Sequence, residues 1–177
     1  YRMLEPMRQY GRERLKESGE AVMARQRHAA WYLAFAEEAE PKLIDAEQAG
    51  WLERLETEHD NLRAALEWFL EEGDTGRGLR LAGALGEFWR VRGHLGEGLR
   101  WMEATLAGGE DASLARVKAL VHAGWMAWER IDFERSTALS EEALELARKL
   151  GDKRGAAAAL YNLGMVAIYD QIRAEEA

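Results

Sequence analysis

The sequence predicts an all-α fold built from antiparallel helix pairs, and three observations carry that expectation. Ala, Leu, Glu and Arg, all strong helix formers, contribute 30, 23, 25 and 19 of the 177 residues. The β-branched residues that strands need come to only 13 (5 Val, 4 Ile, 4 Thr), and the two prolines are Pro6 and Pro41. Apolar residues also recur at helical spacing almost throughout, with glycine-containing breaks at short intervals. A chain of this length buries a substantial core, as one domain or as one continuous array.

Residues 6–18 predict a first helix, with Pro6 at its first position and Gly19 past its end. A second runs over about residues 20–40. There Ala21, Ala24, His28, Tyr32, Phe35 and Ala39 share one stripe, and Pro41 stops it. After a loop over residues 41–46, Gln48–Thr57 reads as a short amphipathic helix with Trp51, Leu52 and Leu55 inward. Asp60 then caps a helix over residues 61–72 that buries Leu62, Ala65, Leu66 and Phe69. A single long helix across that junction fits the same pattern. Residues 73–78 read as a loop.

Three similar blocks follow. Ala82-Gly83-Ala84-Leu85-Gly86 aligns with Leu120-Val121-His122-Ala123-Gly124 and with Leu160-Tyr161-Asn162-Leu163-Gly164, so glycines recur at intervals of 38 and 40 residues. Each falls mid-helix, where glycine costs about 1 kcal/mol relative to alanine. A cost repeated in register predicts a second helix packed so close that no side chain fits. Gly93-His94-Leu95 and Ile131-Asp132-Phe133, each starting seven residues after such a glycine, read as tight turns between antiparallel helices. Gly98, Ser136 and Ala143 are the small residues facing the crossing, and Leu150-Gly151-Asp152 reads as a helix C-terminus with glycine past its end. The blocks span about residues 76–110, 112–150 and 152–177. The last is incomplete, since Asp170-Gln171-Ile172 makes a poor turn.

The apolar and small residues paired at each crossing, the inter-helix turn and the small residues after it resemble tetratricopeptide repeats, whose helix-turn-helix units stack into a right-handed α-solenoid. The resemblance implies that Leu85/Gly86, Ala123/Gly124 and Leu163/Gly164 are the paired positions of each first helix. Gly98 and Ser136, then Thr105 and Ala143, are the small positions of the second helices. The blocks exceed the family's usual length of about 34 residues. Ile131 stands where a turn glycine is usual, and no proline ends either second helix.

A more specific resemblance lies in the N-terminal half. Tyr1-Arg2-Met3-Leu4-Glu5, Arg8-Gln9-Tyr10, Glu13-Arg14-Leu15, Arg27-His28-Ala29, Ala36-Glu37-Glu38-Ala39 and, most distinctively, Glu58-His59-Asp60-Asn61-Leu62-Arg63-Ala64-Ala65-Leu66 are similar to one bacterial group. These are large signal-transducing regulators built on a STAND-type NTPase, including LuxR-type and SARP-like transcriptional regulators. In them a nucleotide-binding domain and a winged-helix segment precede a tetratricopeptide-like arm, and many carry a DNA-binding domain at one end. The resemblance spans essentially the whole chain. It implies that residues 1–18 are the end of the winged-helix segment or a linker helix, 19–72 the N-terminal helices of the arm, and 73–177 its repeats. It also implies a cytoplasmic location and an NTPase domain upstream, because no G-x-x-x-x-G-K-[ST] pattern occurs in the chain. Beginning at Tyr1 and stopping within a polar helical run, the sequence is expected to be a piece of a longer polypeptide.

Composition narrows the function classes. With no cysteine, disulfides, zinc-finger patterns and thiol chemistry are excluded. The longest apolar run, residues 156–161, is far short of the roughly 20 residues of a membrane span. No basic segment followed by an apolar stretch opens the sequence. The 24 basic and 32 acidic residues give a net charge of −8. The arginines are interleaved with glutamates, as on a salt-bridged helix surface, and are not clustered as phosphate binding requires.

His28, His59, His94 and His122 lie 28 to 35 residues apart, without the i, i+4 spacing of a helical zinc site. No metal or cofactor is therefore expected, and His59 is expected to pack or hydrogen-bond at a helix junction. Ser18, Ser113, Ser136 and Ser140 sit in no nucleophile elbow. Gly93-His94-Leu95-Gly96-Glu97-Gly98 follows no strand, so it reads as a turn and not a phosphate loop. The segment is expected to be non-catalytic.

Among the tryptophans, Trp31, Trp51, Trp68 and Trp89 fall near apolar stripes and are expected in the core. The tetratricopeptide frame implies a concave groove lined by Arg80, Gly83, Glu87 and Arg90 in the first block. Lys118, Val121, Trp125 and Trp128 line it in the second, and Ala158, Tyr161, Met165 and Ile168 in the third. An aromatic, methionine-bearing face edged by charges has the composition of a protein or ligand contact surface. Packing of Trp128 and Tyr161 between adjacent blocks accounts for them equally well.

The resemblance implies an interaction and sensor arm whose groove takes a protein partner, its own NTPase core or a small inducer, biasing an off/on equilibrium. The groove lacks the Lys/Asn pattern that clamps a C-terminal carboxylate. One alternative is a scaffold or oligomerisation arm that self-associates through an open solenoid end at residues 156–169. The other, direct nucleic-acid binding, requires a basic face that the sequence does not offer.

Overall fold

The computed structural model describes residues 19–109 and 112–175. The helix expected over residues 6–18, and with it the winged-helix tail, lies outside the described residues. Within them the chain forms α1 (Ala21–Ala39), a 3-10 segment (Glu40–Ile44), α2 (Gln48–Thr57), α3 (His59–Glu71), α4 (Thr75–Arg92), α5 (Leu95–Ala107), α6 (Leu114–Glu129), α7 (Phe133–Leu150) and α8 (Lys153–Glu175). No strand occurs among the described residues, and the fold is all-helical.

Local chemistry sets where these helices start and stop. Asp74, Ser113 and Asp132 cap α4, α6 and α7, each accepting a hydrogen bond from the backbone N–H three residues on (Arg77, Arg116 and Arg135) at 3.1–3.2 Å. Gly73, Gly93 and Gly151 take the left-handed conformation (φ 67°, 77° and 71°) that lets the chain reverse after a helix. At the α6–α7 turn the same conformation falls on Ile131 (φ 66°), a steric penalty that a β-branched residue bears and glycine does not.

Three expectations change here. Pro41 does not open a loop; it sits in the first turn of the 3-10 segment, where its fixed φ is already suitable. Asp60 does not cap α3, which begins at His59. It lies in the first turn, paired with Arg63 at 2.9 Å and favourably placed against the helix dipole. Residues 75–78 are helical, because the Asp74 cap starts α4 early.

The helices pack in two layers. α1, α4, α6 and α8 lie side by side, while α3 backs α1 and α4, α5 backs α4 and α6, and α7 backs α6 and α8. Recurring glycines permit two of these approaches. A Cβ on Gly86 would run into the His122 imidazole, so it is the next first helix, α6, that crowds this glycine, and not its own partner α5. A Cβ on Gly124 would lie 2.6 Å from Ser140 Oγ on α7, as the register argument expects. Gly164 has no such neighbour within 4 Å. α8 runs unbroken through residues 170–172, so the third block makes no turn there. Trp51, Trp68 and Trp89 are buried as expected, but Trp31 is 56% exposed. Phe35 takes the inward place on that turn, and Trp31 stacks outside it at 5.4 Å.

Candidate interaction face and the junction behind it

The residues expected to line the groove all fall on the α4–α6–α8 layer. On α6 the buried positions are Val117, Ala119, Leu120, Ala123, Gly124, Met126 and Ala127. Lys118, Val121, Trp125 and Trp128, spaced three and four apart, therefore form the stripe turned away from the core. On α8, Ala159, Asn162 and Val166 turn inward, which leaves Ala158, Tyr161, Met165 and Ile168 on the corresponding stripe. Asn162 Nδ2 donates to the Val121 carbonyl at 2.9 Å and sets the spacing of the two helices.

Three rings meet on this face. Trp125 stacks on Tyr161 at 5.6 Å and 21°, and lies 5.1 Å from Trp128. The Trp125 indole N–H donates to Glu129 at 2.9 Å, while the Trp128 N–H is buried without a hydrogen-bond partner. Tyr161 is 58% exposed, so the cluster reaches solvent through it. Trp125 and Trp128 are half-buried, and Tyr161 is the most open of the three.

The charged positions are occupied by one another. Arg90 forks onto Glu87 at 2.5 and 2.8 Å, and Arg80 forks onto Glu37 of α1 at 2.7 and 2.8 Å. Lys118 lays its stem across Gly83 and reaches Glu40 at 2.6 Å, which explains why that position on α4 has no side chain. Between the 3-10 segment and α4, α6 and α8 lies a cavity of about 350 Å³ lined by Glu40, Ile44, Gly83, Glu87, His122 and Arg154 among others. His122 is half-buried between α4 and α6, with one edge on this cavity. Desolvation pushes its pKa down, outweighing the opposite pull of Glu87 and Glu40 and assisted by Lys118 and Arg90.

A second cluster lies on the other side of the layer, at the α2–α3 junction. Glu58 accepts from Tyr32 Oη (2.5 Å) and from Asn61 Nδ2 (2.7 Å), docking α1 onto the start of α3. This accounts for Glu58 and Asn61 in the distinctive Glu-His-Asp-Asn-Leu-Arg stretch. His59 is buried at the junction, edge-on to Phe88 at 5.2 Å and 4.7 Å from the His94 ring. Its Nε2 faces Glu97 Oε1 at 3.2 Å and its Nδ1 faces Glu56 Oε1 at 3.9 Å.

Burial lowers the His59 pKa, against the pull of Glu97. Glu97 is itself held down to about 2, first by the Arg63 guanidinium, which forks onto it at 2.6 and 2.7 Å. Sequence spacing expects no such grouping: His59 and His94 are 35 residues apart and meet only because α3 packs against α4. The one local signal is Glu56 and His59 at i, i+3.

No family model and no solved structure matches the chain. Proteins named "putative HTH-type transcriptional regulator" in Mycobacterium bovis and in two strains of Mycobacterium tuberculosis are 35% identical to it over 96% of its length. The chain spans about a fifth of the length of these relatives. No helix among the described residues is long and apolar enough to cross a membrane.

Proposed function

We propose that the chain is a non-catalytic, tetratricopeptide-like arm of a cytoplasmic transcriptional regulator, stacked as a right-handed solenoid on an NTPase core of the STAND type. Its α4–α6–α8 face takes a protein partner, that core or a small inducer. The observation that carries this reading is the Trp125–Trp128–Tyr161 cluster: three rings on adjacent helices of one layer, on the side away from the backing helices, opening to solvent through Tyr161. Aromatic anchors dominate binding energy once a partner covers and desolvates them. Occupancy of the face shifts an off/on equilibrium only if the ligand binds one arrangement of the arm better than the other.

The relatives' names support the regulator class, and the helix-turn-helix they mention is said of proteins of which this chain spans a fifth. For this segment we propose no direct nucleic-acid contact. Its net charge is −8, and Arg25, Arg63, Arg80, Arg90, Arg92, Arg116 and Arg135 each hold a carboxylate.

The test is Trp125→Ala with Tyr161→Ala in the full-length protein, read as inducer-dependent transcription. A folded double mutant with an unchanged response would remove the face from the mechanism. A second reading, self-association, draws on the exposure of Leu160 (50%), Ile168 (56%) and Ile172 (49%) along α8. Light scattering that gives a concentration-dependent mass, abolished by Leu160→Glu with Ile168→Glu, would favour it.

A further inference from the structure

We propose that Glu56, His59 and His94 bind a single divalent transition-metal ion, with zinc the ion the donor set fits best, and that this ion ties the α2–α3 junction to the α4–α5 turn. The three residues bring one donor atom each to within 4.8 Å of the others. Glu56 Oε2 is 3.2 Å from His94 Nε2, and Glu56 Oε1 is 3.9 Å from His59 Nδ1. Donors around a tetrahedral zinc with bonds of 2.0–2.2 Å stand about 3.4 Å apart. Rotation of the two more accessible side chains, Glu56 and His94 (40% and 31% exposed), closes the difference without moving backbone. Two imidazoles and a carboxylate suit zinc and its first-row neighbours, whereas calcium and magnesium prefer all-oxygen sets.

The surroundings are those of a metal-ligating histidine. On the far side of the His59 ring from Nδ1, Nε2 faces Glu97 at 3.2 Å, the carboxylate that in metal sites orients the imidazole and raises its basicity. Glu97 is in turn fixed by the Arg63 fork and by Trp101 Nε1 at 3.3 Å. His59 is 93% buried, since 7% of it is exposed, and its Nε2 lacks a well-aligned hydrogen bond. With Nδ1 on a metal, the neutral ring carries its proton on Nε2, the nitrogen that faces Glu97. The fourth position opens to solvent past Glu56 and His94 and takes a water. Arg92, whose Nε lies 3.8 Å from Glu56 Oε2, opposes the ion, but its shorter contact is to Glu53 at 2.6 Å, so the closest partner of both Glu56 oxygens is His94 Nε2, at 3.2 and 3.3 Å.

The experiment is a titration of the chelator-stripped full chain with Zn²⁺ in competition with a chromophoric chelator, paralleled by Co²⁺ absorption. One ion per chain is expected, with the intense visible bands of four-coordinate cobalt. His94→Ala and Glu56→Gln, both outside the packed core, each weaken binding by about tenfold or more, and Glu97→Gln does so by about tenfold through the outer shell. His28→Ala leaves binding unchanged. Circular dichroism verifies that every variant is folded. Absence of saturable one-per-chain binding overturns the site, and so does wild-type affinity in folded His94→Ala and Glu56→Gln. Because the readout is metal binding and not transcription, failure here leaves the aromatic face standing, and the converse holds.

Discussion

In the helices up to α5 the interior is filled by rings. Trp51, Trp68, Phe69, Phe88 and Trp89 belong to one buried cluster with Leu55, Leu62 and Leu66. Between α6, α7 and α8 it is filled by Ala119, Leu120, Ala143 and Ala159, with Ser136 and Ser140 fully buried beside them. Small residues let helix axes approach closely and leave no space for an indole. Three rings of this half, Trp125, Trp128 and Tyr161, are accordingly found on the outer side of the layer, and the other two, Phe133 and Tyr169, pair at 4.2 Å and are half-buried. The same residue type therefore holds the fold in one region and is available for contact in the other.

The largest test of that contrast compares two tryptophans. Trp89 is 1% exposed, and its ring would lie 2.9 Å from a Cβ on Gly98. Trp89→Ala should cost about 3–5 kcal/mol in urea unfolding, as for other large-to-small core changes. Trp125→Ala should cost less, about 1 kcal/mol, because its ring meets Trp128 and Tyr161 on the outer face and belongs to neither buried cluster. Equal losses would mean that Trp125 is also a core residue and that the face is not spare.

Next come the register glycines, where the expected sign changes along the chain. Gly86→Ala drives a methyl into the His122 ring, and overpacking of this kind costs about 1–3 kcal/mol. Gly164→Ala meets nothing within 4 Å, so it should gain up to about 1 kcal/mol from helix propensity alone. Destabilisation by both substitutions would indicate that the open face of α8 is covered in solution.

These glycines also show what is legible in the sequence. Their period, and the turns seven residues on, are visible because a mid-helix glycine has a cost that only close packing offsets. Which helix does the crowding is not visible: at Gly86 it is α6, because the deciding side chain, His122, lies 36 positions away, the difference of the two residue numbers. The bounds of α2 are readable from the Trp51, Leu52 and Leu55 stripe. The start of α4 is misjudged because Thr75, Gly76 and Gly78 look like a loop until Asp74 is recognised as a cap. The face residues come from the repeat frame, whereas the Glu56–His59–His94 grouping arises from tertiary packing and has no spacing signature.

A smaller effect separates the two inter-helix turns. Gly93 carries φ 77° without strain, whereas Ile131 carries φ 66° with its side chain 70% exposed, so it gains little from burial. Ile131→Gly should stabilise the α6–α7 pair by about 1 kcal/mol, and Gly93→Ala should destabilise the α4–α5 pair by a similar amount. Hydrogen-exchange protection in α7 and α5 respectively would report the two changes separately. No gain from Ile131→Gly would mean that the α6–α7 turn relaxes out of the left-handed region in solution.

The smallest expected effect is a pH slope at the seam between the two regions, where His122 of α6 lies over Gly86 of α4. Burial is the main cause of its lowered pKa, with Lys118 and Arg90 acting in the same direction and Glu87 and Glu40 opposing. In the unfolded chain histidine titrates near about 6.5. Below that pH the unfolded state takes up a proton that the folded seam resists, so stability is highest above about pH 6.5 and falls as pH drops toward the folded pKa. Denaturation midpoints measured with chelator present from pH 7.5 to 5.5 should therefore decline in the wild type and decline less in His122→Gln. A residual slope is expected from His59, whose pKa is also lowered by burial. Depressed carboxylates such as Glu97 lose their contribution only as pH falls from the ordinary carboxylate range toward the folded value, so they do not confuse this window. An identical slope in His122→Gln would mean that the seam admits a charged imidazole, and that α4 and α6 are less tightly joined than Gly86 implies.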